Sequence, residues 1–258
     1  IPGWRKGVVD LIARYGEAKA KTLFELSLEA RALVLERIAN HNIACDLRTN
    51  GHLTLAAKSS DPHWMREEAE TLTRVMKYQH ARVLSADEAR AKVASPIFHG
   101  GLFDGWGGSV HPLNYALGLA DAARQTRVTL FEHSRVTAIE NGDGITAHTR
   151  DGFVRARYGV LACDALLGDL DPKLAARIMP VGNYVVATEP LANTPVADDL
   201  AVSDSRFVVN YFRMSADKRL LFGGGERYSV KPPANIEAFV RPYLARVFPQ
   251  LAQVRIDH

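Results

Sequence analysis

Apolar residues in the first third of the chain recur at helical spacing. Between residues 7 and 41 they fall three and four positions apart, which predicts a long helix with one apolar face. Gly16 interrupts the pattern and is expected to separate a short first helix from a longer second one. Asn50-Gly51 predicts a turn, and the alternation over residues 53–57 predicts a half-buried strand.

Two further helices are indicated before residue 95. Helical spacing returns after Asp61-Pro62, where the proline suits a first helical turn. Ser85, followed three residues later by Glu88, forms a capping box and predicts a short helix that starts directly after Ser85. Residues 96–104 are expected to be extended.

The middle third is typical of a small antiparallel sheet followed by a buried strand. A helix is expected to begin at Pro112, and a short strand is expected over residues 128–131. A three-stranded meander is predicted over residues 135–140, 145–149 and 153–156, with glycine-containing turns between the strands. Residues 158–163 form an uninterrupted apolar run that ends in small residues, which predicts a central parallel strand covered on both faces.

The last third reads mainly as strands with one packed helix. Strands are predicted at 183–188, 207–213, 220–223 and 254–257, and a helix at 235–248 that Pro242 should kink. This order suggests an antiparallel α+β layer, separate from the α/β region at 112–178. The predicted fold class is therefore α/β plus α+β.

Composition narrows the function classes. The 258 residues are 47% hydrophobic and 24% charged, with a net charge of +3, which favours a packed globular protein. No cluster of lysine and arginine indicates a nucleic-acid partner, and no apolar run approaches the ~18 residues of a membrane span. The two cysteines, Cys45 and Cys163, are expected to be reduced in a cytoplasmic protein, and no metal-ligand spacing occurs.

A glycine-rich loop precedes the helix predicted at Pro112. Gly105, Gly107 and Gly108 surround Trp106, and such a loop lets the backbone pass close to another group. His111 is expected at the helix cap. Two readings stay open: the loop lies beside a bound ligand, with His111 polarising a substrate, or it only crosses between domains.

Four runs of residues resemble a known family. They are HPLNYALGLADAAR from His111, TLFEHSRVTAIE from Thr129, YGVLACDALLGDLDPKLAARIMPVGNYVVATEPL from Tyr158 and NYFRMSADKRLLFGGG from Asn210. In order and spacing they resemble the D-amino-acid-oxidase-type FAD-dependent oxidoreductases, and within that family the γ-glutamylputrescine oxidoreductase branch. The likeness extends over essentially the whole chain.

The resemblance implies a flavoenzyme that oxidises a C–N bond of an amine or amino-acid-like substrate, such as a γ-glutamylputrescine-like compound, with FAD as the cofactor. It implies a partial Rossmann-like FAD-binding part with a β-meander (residues 1–50 and 106–178) and an antiparallel-sheet substrate part (51–105 and 179–258). The GxGxxG fingerprint, which holds a pyrophosphate at a helix N-terminus, does not occur in these residues, and the C-terminal segment of the family is also expected to be absent. The chain is therefore expected to be a truncated piece that binds FAD weakly or not at all and is inactive alone.

The resemblance also implies roles for individual residues. The cofactor-binding candidates are Arg135 and Val136 at the adenosine end, Ala162, Cys163 and Asp164 at the pyrophosphate, and Gly223 and Gly224 near the flavin ring. The catalytic candidates are His111, Tyr211 and Arg213. Tyr211 and Arg213 share one face of their strand, opposite Asn210 and Phe212, and Arg213 would bind the carboxylate of a γ-glutamyl amine through two hydrogen bonds.

Other readings compete with the flavoenzyme. The chain could be a stand-alone binding or interaction domain derived from such an enzyme, without redox activity. An oxidase-like domain of an RNA-modifying enzyme would need a basic cluster, which is missing from the sequence. The expected partners of the flavoenzyme are a small-molecule amine and, through exposed apolar surface, a second copy of the chain.

Overall fold

A computed structural model describes residues 2–229 and 231–258. The helices are α1 (Val8–Tyr15), α2 (Glu17–Asn40), α3 (Asp61–Arg74), α4 (Ala86–Lys92), α5 (Pro112–Gln125), α6 (Pro172–Ala175) and α7 (Ile236–Val247). The strands are β1 (His52–Leu55), β2 (Ala81–Leu84), β3 (Gly101–Asp104), β4 (Val136–Gly142), β5 (Gly144–Thr149), β6 (Phe153–Ala156), β7 (Gly182–Pro190), β8 (Ala201–Asp204), β9 (Tyr211–Met214) and β10 (Arg219–Arg227). Two 3₁₀ segments cover Asp164–Leu170 and Pro249–Leu251. No helix in the described part of the chain is both long enough and apolar enough to cross a bilayer.

Individual residues set the ends of the helices in the first third of the chain. Gly16, at φ +79°, lies in the left-handed region between α1 and α2, so the predicted break is confirmed. The carboxylate of Glu68, on α3, accepts hydrogen bonds from the first backbone N–H groups of α1, at 2.6 Å from Val8 and 3.2 Å from Val9. The capping box of Ser85 and Glu88 forms with both hydrogen bonds and starts α4, as predicted.

Seven strands form one mixed sheet in the order β2-β3-β1-β8-β9-β10-β7. The layer was predicted to be antiparallel, but β1 pairs in parallel with β8, because the first third of the chain contributes strands to the same sheet. One face is buried: Leu53, Phe212 and Phe222 pack there with Val240 and Leu244 of α7. The predicted fold class, α/β plus α+β, is confirmed, since the structure combines helices with a large mixed sheet and a small antiparallel one.

The last third differs from the prediction at two strand ends. The strand predicted over 207–213 begins only at Tyr211, because residues before it form a turn in which Asp204 accepts hydrogen bonds from Asn210. The strand predicted over 254–257 is reduced to a single bridge between Ile256 and Thr188.

The meander is confirmed, and the strands predicted on either side of it are not. Strands β4, β5 and β6 form a three-stranded antiparallel sheet. Residues 128–131 and 158–163 are not strands. Tyr158 and Val160 are 83% and 89% exposed, so the predicted central parallel strand is wrong for this structure. Apolar sequence favours burial, but a strand also needs a neighbouring strand to hydrogen-bond with, and the described residues offer none there.

The chain divides into two compact units. The larger unit contains the residues up to Leu119 together with Asn183–Gly225 and Pro233–His258, and holds the seven-stranded sheet. The smaller unit contains Ala120–Gly182 and a short stretch from Glu226, and holds the meander. Within each unit the residues mainly contact one another. The division predicted from the sequence was a functional one, into an FAD-binding part and a substrate-binding part, and it stays a prediction.

Candidate functional site

The face of the large sheet opposite the apolar core carries two rows of residues, several of which are polar. Pairing between strands aligns Thr54, Ser203, Tyr211 and Gly223 in one row. The second row lies two residues further along each strand and contains His52, Ala201, Arg213 and Leu221. Because side chains alternate between faces, the buried Val202 and Phe212 point away from these rows. Tyr211 and Arg213 therefore share the face expected for them.

Tyr211 lies flat against Gly223 on the neighbouring strand. A Cβ atom at Gly223 would come within 2.3 Å of two ring carbons of Tyr211. Burial raises the pKa of the Tyr211 hydroxyl. Gly223 thus makes room for the tyrosine ring. Gly224 points the other way, where an added Cβ would meet Asn210 Oδ1 at 2.8 Å.

Arg213 places a mostly buried guanidinium group beside Tyr211. Its side chain is 15% exposed, and burial lowers its pKa. The group donates long hydrogen bonds to the carbonyl oxygens of Met214, at 3.3 Å, and Val110, at 3.4 Å. Asp46 Oδ2 lies 3.9 Å away. A guanidinium group has five N–H donors, so Arg213 retains capacity to bind an anion.

His52 and Ser203 belong to the same face, and the sequence analysis did not single them out. His52 Nε2 lies 3.1 Å from Ser203 Oγ, and burial lowers the pKa of His52 to about 4. Asp104, opposite His52 on β3, accepts a 2.6 Å hydrogen bond from the Tyr78 hydroxyl. The alternation of β1 was the available signal, because it places His52 and Thr54 opposite Leu53 and Leu55.

His111 occupies the start of α5, as expected for a cap. Its Nδ1 accepts a hydrogen bond of 3.2 Å from the backbone N–H of Asn114. Its own backbone N–H donates to the Cys45 carbonyl at 2.6 Å. The imidazole is exposed. These contacts account for the position of His111 through helix capping, and a catalytic role stays a prediction.

The glycine loop before His111 approaches backbone. A Cβ at Gly108 would lie 2.3 Å from the Arg48 carbonyl oxygen, and Ser109 exchanges two backbone hydrogen bonds of 2.9 Å with Arg48. Trp106 stacks on His80, with ring centroids 4.1 Å apart, and lies under the Arg31 guanidinium group at 4.9 Å. The close approach predicted from the glycines is therefore made to the protein's own chain at Arg48.

A cavity of about 610 Å³ lies between this loop and α2. Its wall is mainly apolar, with two arginines and backbone from the loop; the lining includes Trp4, Leu26, Val34, Leu47, Trp106, Arg31, Arg48 and Val110. Its volume falls in the range of about 300–1,000 Å³ typical of ligand pockets. The cavity lies wholly within the larger unit.

The other candidate cofactor residues lie in the smaller unit. Arg135 directly precedes β4 and Val136 begins it, while Ala162 and Cys163 lead into the 3₁₀ segment at Asp164. The segment bends at Gly168, whose φ is +58°, and a Cβ there would lie 3.5 Å from Nη2 of Arg135. The structure thus brings Arg135 next to the segment that starts at Asp164.

Comparisons with known proteins agree with this architecture. The family model described as "FAD dependent oxidoreductase" (DAO) matches residues 3–258. γ-Glutamylputrescine oxidoreductase of Escherichia coli is 37% identical over 97% of this chain and 60% of its own length; the probable oxidoreductase OrdL of Rhizobium meliloti is 32% identical over 94% and 57%. The chain thus spans about 60% of the length of these relatives.

Among solved structures, glycine oxidase of Geobacillus kaustophilus superimposes with a TM-score of 0.73 at 20% identity, over 92% of this chain and 65% of that one. L-Proline dehydrogenase of P. horikoshii gives a TM-score of 0.71 at 16% identity, over 90% and 65%. These structures share the fold. The match of a family model over nearly all of the residues shows that the chain belongs to the DAO family of FAD-dependent oxidoreductases.

Proposed function

We propose that the protein, as a flavoenzyme, oxidises the terminal C–N bond of an amine that carries a γ-glutamyl group. The observation that carries the proposal is Arg213, a mostly buried and loosely paired guanidinium group on the same sheet face as Tyr211. The 37% identity to γ-glutamylputrescine oxidoreductase supports the same substrate class.

FAD, when bound, would accept two electrons from the amine C–N unit, and water would hydrolyse the resulting imine to an aldehyde with release of ammonia. This chain's residues bind and orient. Arg213 holds the carboxylate of the substrate with charge-assisted hydrogen bonds. Tyr211, fixed by its contact with Gly223, forms the adjacent wall. His111 caps α5 and presents an exposed imidazole for polarising the substrate.

The residues of the smaller unit fit a pyrophosphate-bearing cofactor in their chemistry. Arg135 supplies a cation, and the neighbouring bend at Gly168 leaves space that a side chain would fill. We propose that Arg135, Val136, Ala162, Cys163 and Asp164 contact FAD. We further propose that Gly223 and Gly224 lie near its ring. The polypeptide alone is proposed to retain little FAD, and absorbance near 450 nm after purification would contradict that.

The proposal also covers the cellular compartment of the protein and its self-association. Cys45 and Cys163 are free thiols in the structure, which supports a reducing, cytoplasmic environment. The exposed apolar residues of the smaller unit, among them Tyr158, Val160 and Leu166, support self-association of this polypeptide.

Amine-dependent bleaching of the flavin in the full-length protein tests the function. γ-Glutamylputrescine is expected to reduce the flavin with a higher kcat/KM than putrescine, sarcosine or glycine. Arg213→Met is expected to raise KM for γ-glutamylputrescine much more than KM for putrescine, which has no carboxylate. A wild-type preference for glycine or sarcosine would refute the proposal.

A further inference from the structure

A line of alternating charges extends from Arg213 across the larger unit. Asp46 Oδ2 lies 3.9 Å from Nη1 of Arg213. The other oxygen of Asp46, Oδ1, accepts a hydrogen bond from Arg48 Nε at 3.0 Å and lies 2.9 Å from Arg48 Nη2. Arg48 Nη1 in turn donates to Asp199 Oδ2 at 3.2 Å. The charges therefore follow the order positive, negative, positive, negative.

Arg213 and Asp46, the first two residues of this line, each have polar atoms that are available to bind a ligand. The 3.9 Å between Arg213 Nη1 and Asp46 Oδ2 is well beyond the usual N–H···O distance of about 2.7–3.2 Å. Within residues 2–229 and 231–258, the hydrogen bonds that Asp46 receives at its side chain are made at Oδ1. Oδ2 of Asp46 and several N–H groups of Arg213 are therefore available, one acceptor beside one group of donors.

The 610 Å³ cavity adjoins this pair through two residues that contact it. Arg48, which holds Asp46, and Val110, whose carbonyl accepts from Arg213, both line it. The side chains of Arg213 and Asp46 are 15% and 24% exposed, so a bound group would lose much of its water. In such surroundings charge–charge interactions are stronger than in bulk water.

The pairing of charges selects the kind of ligand. A simple carboxylate at Arg213 would be repelled by Asp46 about 4 Å away, and a simple amine at Asp46 would be repelled by Arg213. An α-amino-acid group carries an ammonium and a carboxylate on the same carbon atom. It can therefore present one charge to each partner without adding net charge to a partly buried site.

We propose that Asp46 and Arg213 form a subsite for an α-amino-acid zwitterion, with the ammonium group at Asp46 Oδ2 and the carboxylate at Arg213. The inference rests on the proposed function, because a γ-glutamyl amine carries this group at the end remote from the oxidised C–N bond. It makes Asp46 a specificity-determining residue, and it assigns Arg48 the role of holding Asp46 in place.

Binding of non-oxidisable probes to the full-length protein, measured by titration calorimetry, tests the subsite. N5-Ethyl-L-glutamine carries both charges of the head group and has no terminal amine. N-Ethylglutaramic acid lacks the α-ammonium, and N-ethyl-4-aminobutanamide lacks the α-carboxylate. The wild type is expected to bind the first probe about 10- to 100-fold more tightly than either of the others, as expected for one charge-assisted hydrogen-bonding group.

Substitutions assign each charge to its partner. Asp46→Asn is expected to abolish the preference for N5-ethyl-L-glutamine over N-ethylglutaramic acid and to keep the preference over N-ethyl-4-aminobutanamide. Arg213→Met is expected to do the reverse. Asp199→Asn is the matched control, because Asp199 contacts Arg48 at the far end of the line, and it should keep both preferences.

The outcomes separate the two proposals. Equal losses for all probes in Asp46→Asn, or the same loss in Asp199→Asn, would overturn the subsite, since the carboxylate would then act only through the fold. Oxidation of γ-glutamylputrescine with unchanged probe preference in Asp46→Asn would overturn the subsite alone. The expected probe pattern without oxidation of γ-glutamylputrescine would overturn only the proposed function.

Discussion

His52 should make the stability of the protein depend on pH in a defined window. Its imidazole lies on the polar sheet face, 3.1 Å from Ser203 Oγ, and burial lowers its pKa to about 4. In the unfolded chain a histidine has a pKa of about 6.5. Between these values the unfolded state binds more protons than the native state, so acidification favours unfolding.

The size of the expected stability loss follows from the pKa shift of His52. One pKa unit corresponds to about 1.4 kcal/mol, and the pKa of His52 is lowered from 6.5 to about 4. The native state should therefore lose up to about 3 kcal/mol of stability between pH 6.5 and pH 4 through this one residue. That is a large part of the ~5–15 kcal/mol by which a domain is usually stable.

Urea unfolding at several pH values from 4 to 7.5 measures this contribution. The free energy of unfolding of the wild type should fall more steeply below pH 6.5 than that of His52→Gln, which has no titrating group. His63→Gln, a change at an exposed histidine of α3, serves as the control and should follow the wild type. Parallel pH profiles for the wild type and His52→Gln would refute the reasoning.

Substitutions at three positions test other features. Gly108→Ala should lower the free energy of unfolding by about 1–3 kcal/mol in urea, because the new Cβ would lie 2.3 Å from the Arg48 carbonyl oxygen; an unchanged midpoint would contradict the close approach. If the proposed function holds, Gly223→Ala should displace the Tyr211 ring and raise KM for the proposed amine substrate in steady-state assays of the FAD-loaded protein, and unaltered kinetics would show that the ring position is unimportant. Ser85→Ala should cost about 1 kcal/mol of unfolding free energy, and Ser85→Thr should cost less.

Local signals in the sequence predicted local structure well. The break at Gly16, the capping box at Ser85 and the turns of the meander depend on residues within a few positions of one another, and each is present. The alternation Tyr211-Phe212-Arg213 placed two side chains on one face correctly for the same reason. Such features are determined by backbone dihedral preferences and short hydrogen bonds, so one stretch of sequence suffices.

Features that depend on distant partners were missed or wrong. Residues 158–163 are apolar enough for a central strand, but their sequence does not reveal whether another strand lies beside them. The parallel pairing of β1 with β8 joins residues about 150 positions apart, and with it His52 comes next to Ser203. Asp46 likewise became a candidate only when the fold brought it beside Arg213.

The two faces of the large sheet explain why its polar rows indicate function. The main apolar core lies on the opposite face, where Leu53, Phe212 and Phe222 pack against α7, and Tyr211 and Arg213 are not part of it. A partly buried guanidinium group with long hydrogen bonds is a net cost to folding, because its lost hydration is incompletely replaced. An apolar residue at position 213 would therefore be expected to stabilise the free protein. Arg213→Met should raise the unfolding midpoint while weakening the binding of carboxylate-bearing ligands, and a fall in both would mean that Arg213 serves the fold.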